Sequence, residues 1–317
     1  MCNNITGSLC YYSDTTAGQR LQDAFSNIFA FPLFRHHSIE PAGGLCCGAT
    51  SDAMRIKRDK EYKMATAQSS ITWEHRASFQ NRPPGRPYFY QSWNNLLFMH
   101  WRFDPQEIQR MLPRGLTVDI YNDFAWVAIV PFEMNRIRPR GLPALPWLSY
   151  FLELNVRTYV IDENGTPGVW FFSLQANRQL AVTLGRALFR LPYWCSEMRS
   201  DRTSDGWFDY RCRRAADPMR QSYRYRWRPD GETTEAALGT FEFFFAERYV
   251  LFSMRADGKL STGRVFHPPY RLQNVDIDEC DDVFLRLDAL GQTGSAPEHA
   301  VFCSGVDVEV FALSVVG

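Results

Sequence analysis

The sequence predicts a mainly β (α+β) protein, a single closed domain of antiparallel strands with a few short helices. Three observations carry this expectation. Runs with period-two alternation or continuous apolar character recur from about residue 93 to the C-terminal end. Dipeptides that accept positive φ, namely Asn122-Asp123, Asn164-Gly165 and Asp257-Gly258, separate successive runs. Helical signals are confined to short stretches bounded by caps or prolines. The count is roughly nine or ten strands, and that many strands in one domain curl and close rather than stay flat.

The 35 basic and 35 acidic residues of the 317 balance, so no global field favours nucleic acid or an anionic membrane. Nearly all the basic residues are arginine; the lysines are Lys57, Lys60, Lys63 and Lys259. Phe25 to Phe34 is apolar but too short to span a bilayer, and the N-terminus lacks a basic region followed by a long apolar run. The eight cysteines form no C-x-x-C pair and have no histidine at zinc spacing. These features point to a cytoplasmic protein with reduced thiols, no metal and no cofactor.

Residues 1–88 read as a poorly structured N-terminal extension and linker, and 89–317 as the folded domain. Within the extension, 1–63 lack periodicity and precede Met64, which follows a charge run as a start residue would; the competing reading is a small helical region at Gln19–Phe34. The first expected strand is Leu96–Phe103. A helix follows it, with Asp104 at N-cap, Pro105 at N1 and Glu107 at N3. Leu116–Tyr121 and Phe124–Phe132 are expected to form a hairpin, and the Arg- and Pro-rich 136–146 stretch a rim loop.

The organising stretch is the hairpin Phe151–Val160 and Gly168–Ala176. In its first strand Glu153, Asn155, Arg157 and Tyr159 alternate with Leu152, Leu154, Val156 and Val160, so one face is polar and one apolar. Its second strand is apolar on both faces and should lie inside a sheet. A polar row beside a doubly buried strand suggests a cavity wall. Beyond it, Leu180, Leu184 and Leu188 mark a helical face stopped by Pro192. Trp207–Arg214 and Ser222–Arg228 alternate as strands, Thr240 caps a short helix, and Arg248–Arg255 pairs with Lys259–Phe266. Val301–Val316 completes the sheet.

Two readings stand for the polar row. Arg157 could clamp a ligand carboxylate with Glu153 as acid or base, or the two could be a structural ion pair. Asn155 and Tyr159 share that face as ligand-binding candidates. His100, between Met99 and Trp101, is a general-base candidate or a hydrogen-bonded core residue; His267, before two prolines, could line a mouth. Arg248, in Glu247-Arg248-Tyr249, reaches the pocket or ties a helix to the sheet. Tyr223 to Arg228 interleaves aromatics and arginines, as some single-strand nucleic-acid binders do, yet the two types point apart.

Several motifs occur in a telling order: His100-Trp101, Leu112-Pro113-x-Gly115-Leu116, Ala125-Trp126-Val127 with Pro131-Phe132, Glu153-x-Asn155-Val156-Arg157-Thr158-Tyr159-Val160, Gly168 to Leu174, Leu191-Pro192-Tyr193, Glu247-Arg248-Tyr249 and His267-Pro268-Pro269. Over about residues 88–310 this order resembles the YqjF-like family of uncharacterised bacterial proteins, which is grouped beside the acetoacetate decarboxylases. The resemblance implies a cone-like antiparallel β-barrel with an interior pocket. The related decarboxylases use a buried lysine whose neutral amine forms a Schiff base. In the family-like region the one lysine is Lys259, at an apparent hairpin tip, and arginine is no substitute nucleophile. The expected function is therefore binding of a small carboxylate-bearing molecule without Schiff-base chemistry. Two alternatives are a lyase or isomerase acting on a small organic acid through Glu153 and Arg157, and a nucleic-acid binder.

Overall fold

The computed structural model describes residues 71–217, 221–291 and 294–315. The expectations for residues 1–63 lie outside these. Near the start of the described chain, α1 (Trp73–Ser78) is capped by the Thr72 hydroxyl, which accepts from the His75 amide at 3.1 Å. Arg76 on α1 is buried and ion-paired to Asp119 at 2.5 Å. The expectation of little structure through residue 88 is thus corrected for 71–88: a helix forms there and drives a cation into the core.

Among the described residues thirteen strands form one sheet. They are β1 (Phe89–Phe103), β2 (Leu116–Val118), β3 (Ile120–Tyr121), β4 (Phe124–Pro139), β5 (Phe151–Asp162), β6 (Pro167–Ala176) and β7 (Tyr193–Arg202), then β8 (Phe208–Arg214), β9 (Tyr223–Glu235), β10 (Val250–Met254), β11 (Leu260–Phe266), β12 (Arg271–Cys280) and β13 (His299–Val315). Among the described residues the α-helices besides α1 are α2 (Pro105–Met111), α3 (Gln179–Leu184), α4 (Phe241–Ala246) and α5 (Val283–Leu287). The neighbour order is β11-β10-β6-β7-β8-β9-β12-β13-β1-β4-β5-β2. Additional pairing of β11 with β13 and of β6 with β5 joins the sheet into closed circuits that share β13, β1, β4, β5 and β6.

The local signals act as expected at α2, where the Asp104 carboxylate accepts from the Gln106 amide at 2.7 Å and Pro105 opens the helix. Asn122 and Asp123 adopt φ of 50° and 67° at the β3–β4 turn. Thr240 caps α4, accepting from Phe243 at 3.2 Å. Two strand expectations need correction. β2 pairs with β5 rather than β4, because the chain turns at buried Asp119, whose amide donates to the Tyr159 carbonyl at 2.9 Å. The sheet is also not wholly antiparallel: β6 runs parallel to β7 and to β10. The helical link through α3 supplies the crossover that a parallel β6–β7 pair requires. Gly168 permits the β6–β10 approach, since a Cβ there would meet the Val250 carbonyl at 2.6 Å.

The anticipated Leu180, Leu184 and Leu188 face is only half-buried; Val182 and Gly185 face the core instead. A wider π-helical turn over Gly185–Phe189 rotates the end of the helix and breaks the i, i+4 register.

The strands shared by the circuits separate two cores. One face carries Leu97, Met99, Trp101, Val127, Ile129, Leu154 and Val156 against Tyr210, Tyr225 and Trp227. The other carries Phe98, Trp126, Ala128, Val130 and Tyr159 against Phe244, Phe245 and Tyr270. Apart from half-buried Leu152, β5 is therefore buried on both faces. Its row from Glu153 to Tyr159 looks into the second core.

Candidate functional site

In β5 the alternation of side chains places Glu153, Asn155, Arg157 and Tyr159 on the face toward the second core. All four are at most 9 % exposed. The guanidinium of Arg157 lies 5.5 Å from the Phe98 ring centre and 5.8 Å from the Tyr159 ring centre. Phe98 packs on Tyr270, Tyr270 on His267 at 4.6 Å, and His267 on Tyr249 at 4.6 Å and Trp93 at 5.8 Å. A continuous row of aromatic side chains thus runs from Arg157 to Trp93.

Several buried polar atoms along this row lack a hydrogen-bond partner among the described residues: Asn155 Oδ1, Arg157 Nε, His267 Nε2 and Trp93 Nε1. Leaving one such atom unpaired costs about 1–3 kcal/mol. Arg157 also has no carboxylate within ion-pairing distance among the described residues, although a buried cation ordinarily keeps one. The expected structural pair of Glu153 with Arg157 does not form. Instead the Tyr193 hydroxyl donates to Glu153 Oε2 at 2.9 Å. Burial, with that bond opposing it, lifts the Glu153 carboxyl to about 8, so it is mostly protonated at neutral pH.

The two histidines differ. His267 is 1 % exposed, so the mouth position expected from its prolines is corrected: the loop turns inward. Its Nδ1 lies 2.9 Å from the Pro268 carbonyl, which only accepts, so Nδ1 carries the proton and Nε2 presents a lone pair. Burial holds His267 down at about 4. His100 is a hydrogen-bonded core residue, 2.8 Å from the Tyr159 hydroxyl and 3.2 Å from His299 Nδ1; burial lowers its pKa, and His299 and Arg157 lower it further.

Arg248 acts as the tie. It donates to Asp119 at 2.7 Å and to the Phe244 carbonyl at 2.5 Å, and with Arg76 it flanks the fully buried Asp119. Burial lowers Arg248 to about 10. Lys259 is exposed beside Gly258, whose φ is 78° at the β10–β11 turn. The Tyr223 to Arg228 stretch in β9 splits as expected, with Tyr223, Tyr225 and Trp227 buried. Its arginines pair with Asp209, Glu279, Asp278 and Asp276.

Residues 90–307 match the DUF2071 family, described as an uncharacterized conserved protein. The chain belongs to that family. It is 35% identical over 196 residues to the uncharacterized protein YqjF of Bacillus subtilis (strain 168), covering 62% of this chain and 79% of that protein. Among solved structures it resembles an acetoacetate decarboxylase-like enzyme from Sphingomonas wittichii RW1, with a TM-score of 0.52 at 14% identity, over 74% of this chain and 94% of that one. It also resembles the enduracididine biosynthesis enzyme MppR complexed with pyruvate, with a TM-score of 0.50 at 14% identity, over 74% and 91%. These two likenesses establish a shared fold, acetoacetate decarboxylase-like and mainly β.

In this DUF2071 chain, sequence reasoning missed Trp93, Tyr270 and His299 as parts of the aromatic row and its margin. Nothing local marks them, since each reaches the core from β1, the β11–β12 connection or β13. Tyr193 and Tyr249 did stand in the ordered motifs, and their hydroxyls both engage buried carboxylates, on Glu153 and Glu247. Among the described residues no helix is long and apolar enough to cross a membrane.

Proposed function

We propose that the sheet closes as a barrel and that its second core binds a small organic acid, with Arg157 holding the carboxylate and Asn155 and His267 supplying the remaining polar contacts. One observation carries the reading. Arg157 is a buried cation with an unpartnered Nε and no carboxylate of its own among the described residues. A carboxylate ligand would supply the missing charge and acceptor together. The pyruvate complex of MppR, a protein of the same fold, agrees with that ligand class.

Glu153 extends the reading toward catalysis. A carboxyl that titrates near neutrality can give or take a proton, the condition for general acid–base chemistry in a lyase or isomerase. Schiff-base decarboxylation is not part of the proposal, because Lys259 is solvated at a turn. Borohydride with pyruvate should accordingly leave no adduct on Lys259. A chain beginning at Met64 should retain the domain, since the Arg76–Asp119 pair lies beyond that point.

The test is a thermal-shift titration of the full chain with pyruvate, small carboxylates and their neutral amides. Ligands that bind the native state raise its melting temperature by mass action. Carboxylates should raise it, amides should not, and Arg157→Met should abolish the shift. No shift with any carboxylate at millimolar concentration sinks the proposal.

A further inference from the structure

A line of hydrogen-bonding groups leads out of this core. His100 and His299 are directly opposite on the β1–β13 ladder. The Tyr159 hydroxyl lies 2.8 Å from His100 Nε2, His100 Nδ1 lies 3.2 Å from His299 Nδ1, and His299 Nε2 lies 3.4 Å from Glu242 Oε1 on α4. Exposure rises along the line: Tyr159 and His100 are fully buried, the His299 side chain is 18% exposed and that of Glu242 39%. His299 also lines a surface cleft of about 630 Å³. We propose that Tyr159, His100, His299 and Glu242 form a proton relay between the buried Arg157 site and solvent. Its use in chemistry rests on the reading of that site given above.

The hydrogen-bond directions follow one from another. The Glu242 carboxylate can only accept, so the His299 nitrogen facing it carries the proton and His100 must supply the proton between the two rings; the phenol proton is then directed at His100 Nε2. His100 Nε2 is then an acceptor, and the neutral ring carries its proton on Nδ1. That proton faces His299 Nδ1, which must offer a lone pair, so His299 holds its proton on Nε2, toward the Glu242 carboxylate. Burial lowers the pKa of both histidines, which agrees with neutral rings.

Proton export then balances. An acid in the site transfers a proton to the Tyr159 oxygen as the phenol proton passes to His100 Nε2. The His100 Nδ1 proton passes to His299 Nδ1, and the His299 Nε2 proton to Glu242, which releases it to water. One proton enters, one leaves, and both imidazoles end neutral in the opposite tautomer. The reverse sequence delivers a proton inward. The Arg157 charge beside His100, and Arg248 at 5.2 Å over the Tyr159 ring, disfavour a resident imidazolium, so the proton passes through rather than staying. Phe245, 4.4 Å from His100 and 5.2 Å from His299, and Phe241, 4.9 Å from His299, sheathe the line against water.

The relay is measurable without ligand, on the full chain. Hydroxyl hydrogen exchange of Tyr159 is followed by the deuterium isotope shift of its labelled Cζ, and the histidine tautomers by ¹⁵N shifts. Exchange at Tyr159 should slow about tenfold or more in Glu242→Gln and in His299→Phe, because it must then await local opening. Buried Tyr225, in the other core, is the internal control and should not change. His100 and His299 should be neutral and in opposite tautomers at pH 7. If His299→Phe fails to fold, Glu242→Gln carries the test, since that side chain is partly exposed and the amide keeps its size without taking a proton. Unchanged Tyr159 exchange in the substituted protein, or identical tautomers of the two histidines, overturns the relay. A failed pyruvate titration with slowed exchange would sink the carboxylate reading and leave the relay standing.

Discussion

Strands β5 and β9 carry the same kind of pattern and put it to opposite uses. Both alternate charged or polar residues with large apolar ones. In β9 the aromatics Tyr223, Tyr225 and Trp227 fill the first core, and Arg224, Arg226 and Arg228 point outward to carboxylates of β8 and β12. In β5 the apolar residues Leu154 and Val156 fill that same core, but the polar row is buried too, and Asn155 and Arg157 keep unpartnered atoms there. The lesson is energetic. An exposed arginine with a carboxylate neighbour is satisfied by solvent and changes stability little. A buried, unpaired arginine costs stability, and such a cost is tolerable where a ligand relieves it.

The largest expected effect is inside. Asp119→Ala leaves Arg76 and Arg248 buried without their shared carboxylate, and should cost about 3–5 kcal/mol of unfolding free energy. Urea denaturation measures this, and a loss no larger than that of a surface substitution would show that the interior charges are solvated.

Next is a pH effect assigned to Glu153. Its folded carboxyl titrates near 8 against an ordinary 4.5, so between those values the folded state holds a proton that the unfolded chain has released. Stability must therefore fall as pH rises through that window, by up to about 1.4 kcal/mol per pH unit. His267 works the other way below 6.5, because its folded value near 4 makes the unfolded chain the stronger proton binder there. Between pH 6.5 and 8 Glu153 dominates, and the thiols of Cys212, Cys280 and Cys303, which burial pushes up, add a smaller fall in the same direction near pH 8. Wild type should lose stability across this range and Glu153→Gln should lose less; equal slopes would falsify the assignment.

Arg157→Met removes a buried charge that has no carboxylate partner among the described residues. It should leave stability within about 1 kcal/mol of wild type, or raise it, while ending carboxylate binding. A loss as large as that of Asp119→Ala would mean that Arg157 serves structure rather than a ligand.

The smallest effect belongs to the β9 surface. Arg226→Ala, which frees Asp278, should shift the melting temperature by about 2 °C or less, and raised salt should shrink the difference. A shift rivalling the interior substitutions would remove the contrast between the two strands.

Short-range chemistry was legible from sequence alone. The caps at Asp104 and Thr240, the positive-φ turn at Asn122-Asp123 and the outward arginines of β9 each depend on residues within a few positions of one another. The polar row of β5 was legible for the same reason. Strands β7 and β12 were not: β7 buries a single residue, Ser196, and β12 carries Asp276, Asp278 and Glu279, residues that fit poorly with strand propensity until β9 neutralises them. Tertiary structure alone decided that β2 lies beside β5, that β6 has parallel neighbours, and that both faces of β5 are buried. It alone also brought His299 opposite His100 and turned His267 inward. The physical reason is common to all of these. Alternation states which residues share a face, whereas what that face meets depends on strands far away in the chain, here on closure of the sheet around a second core.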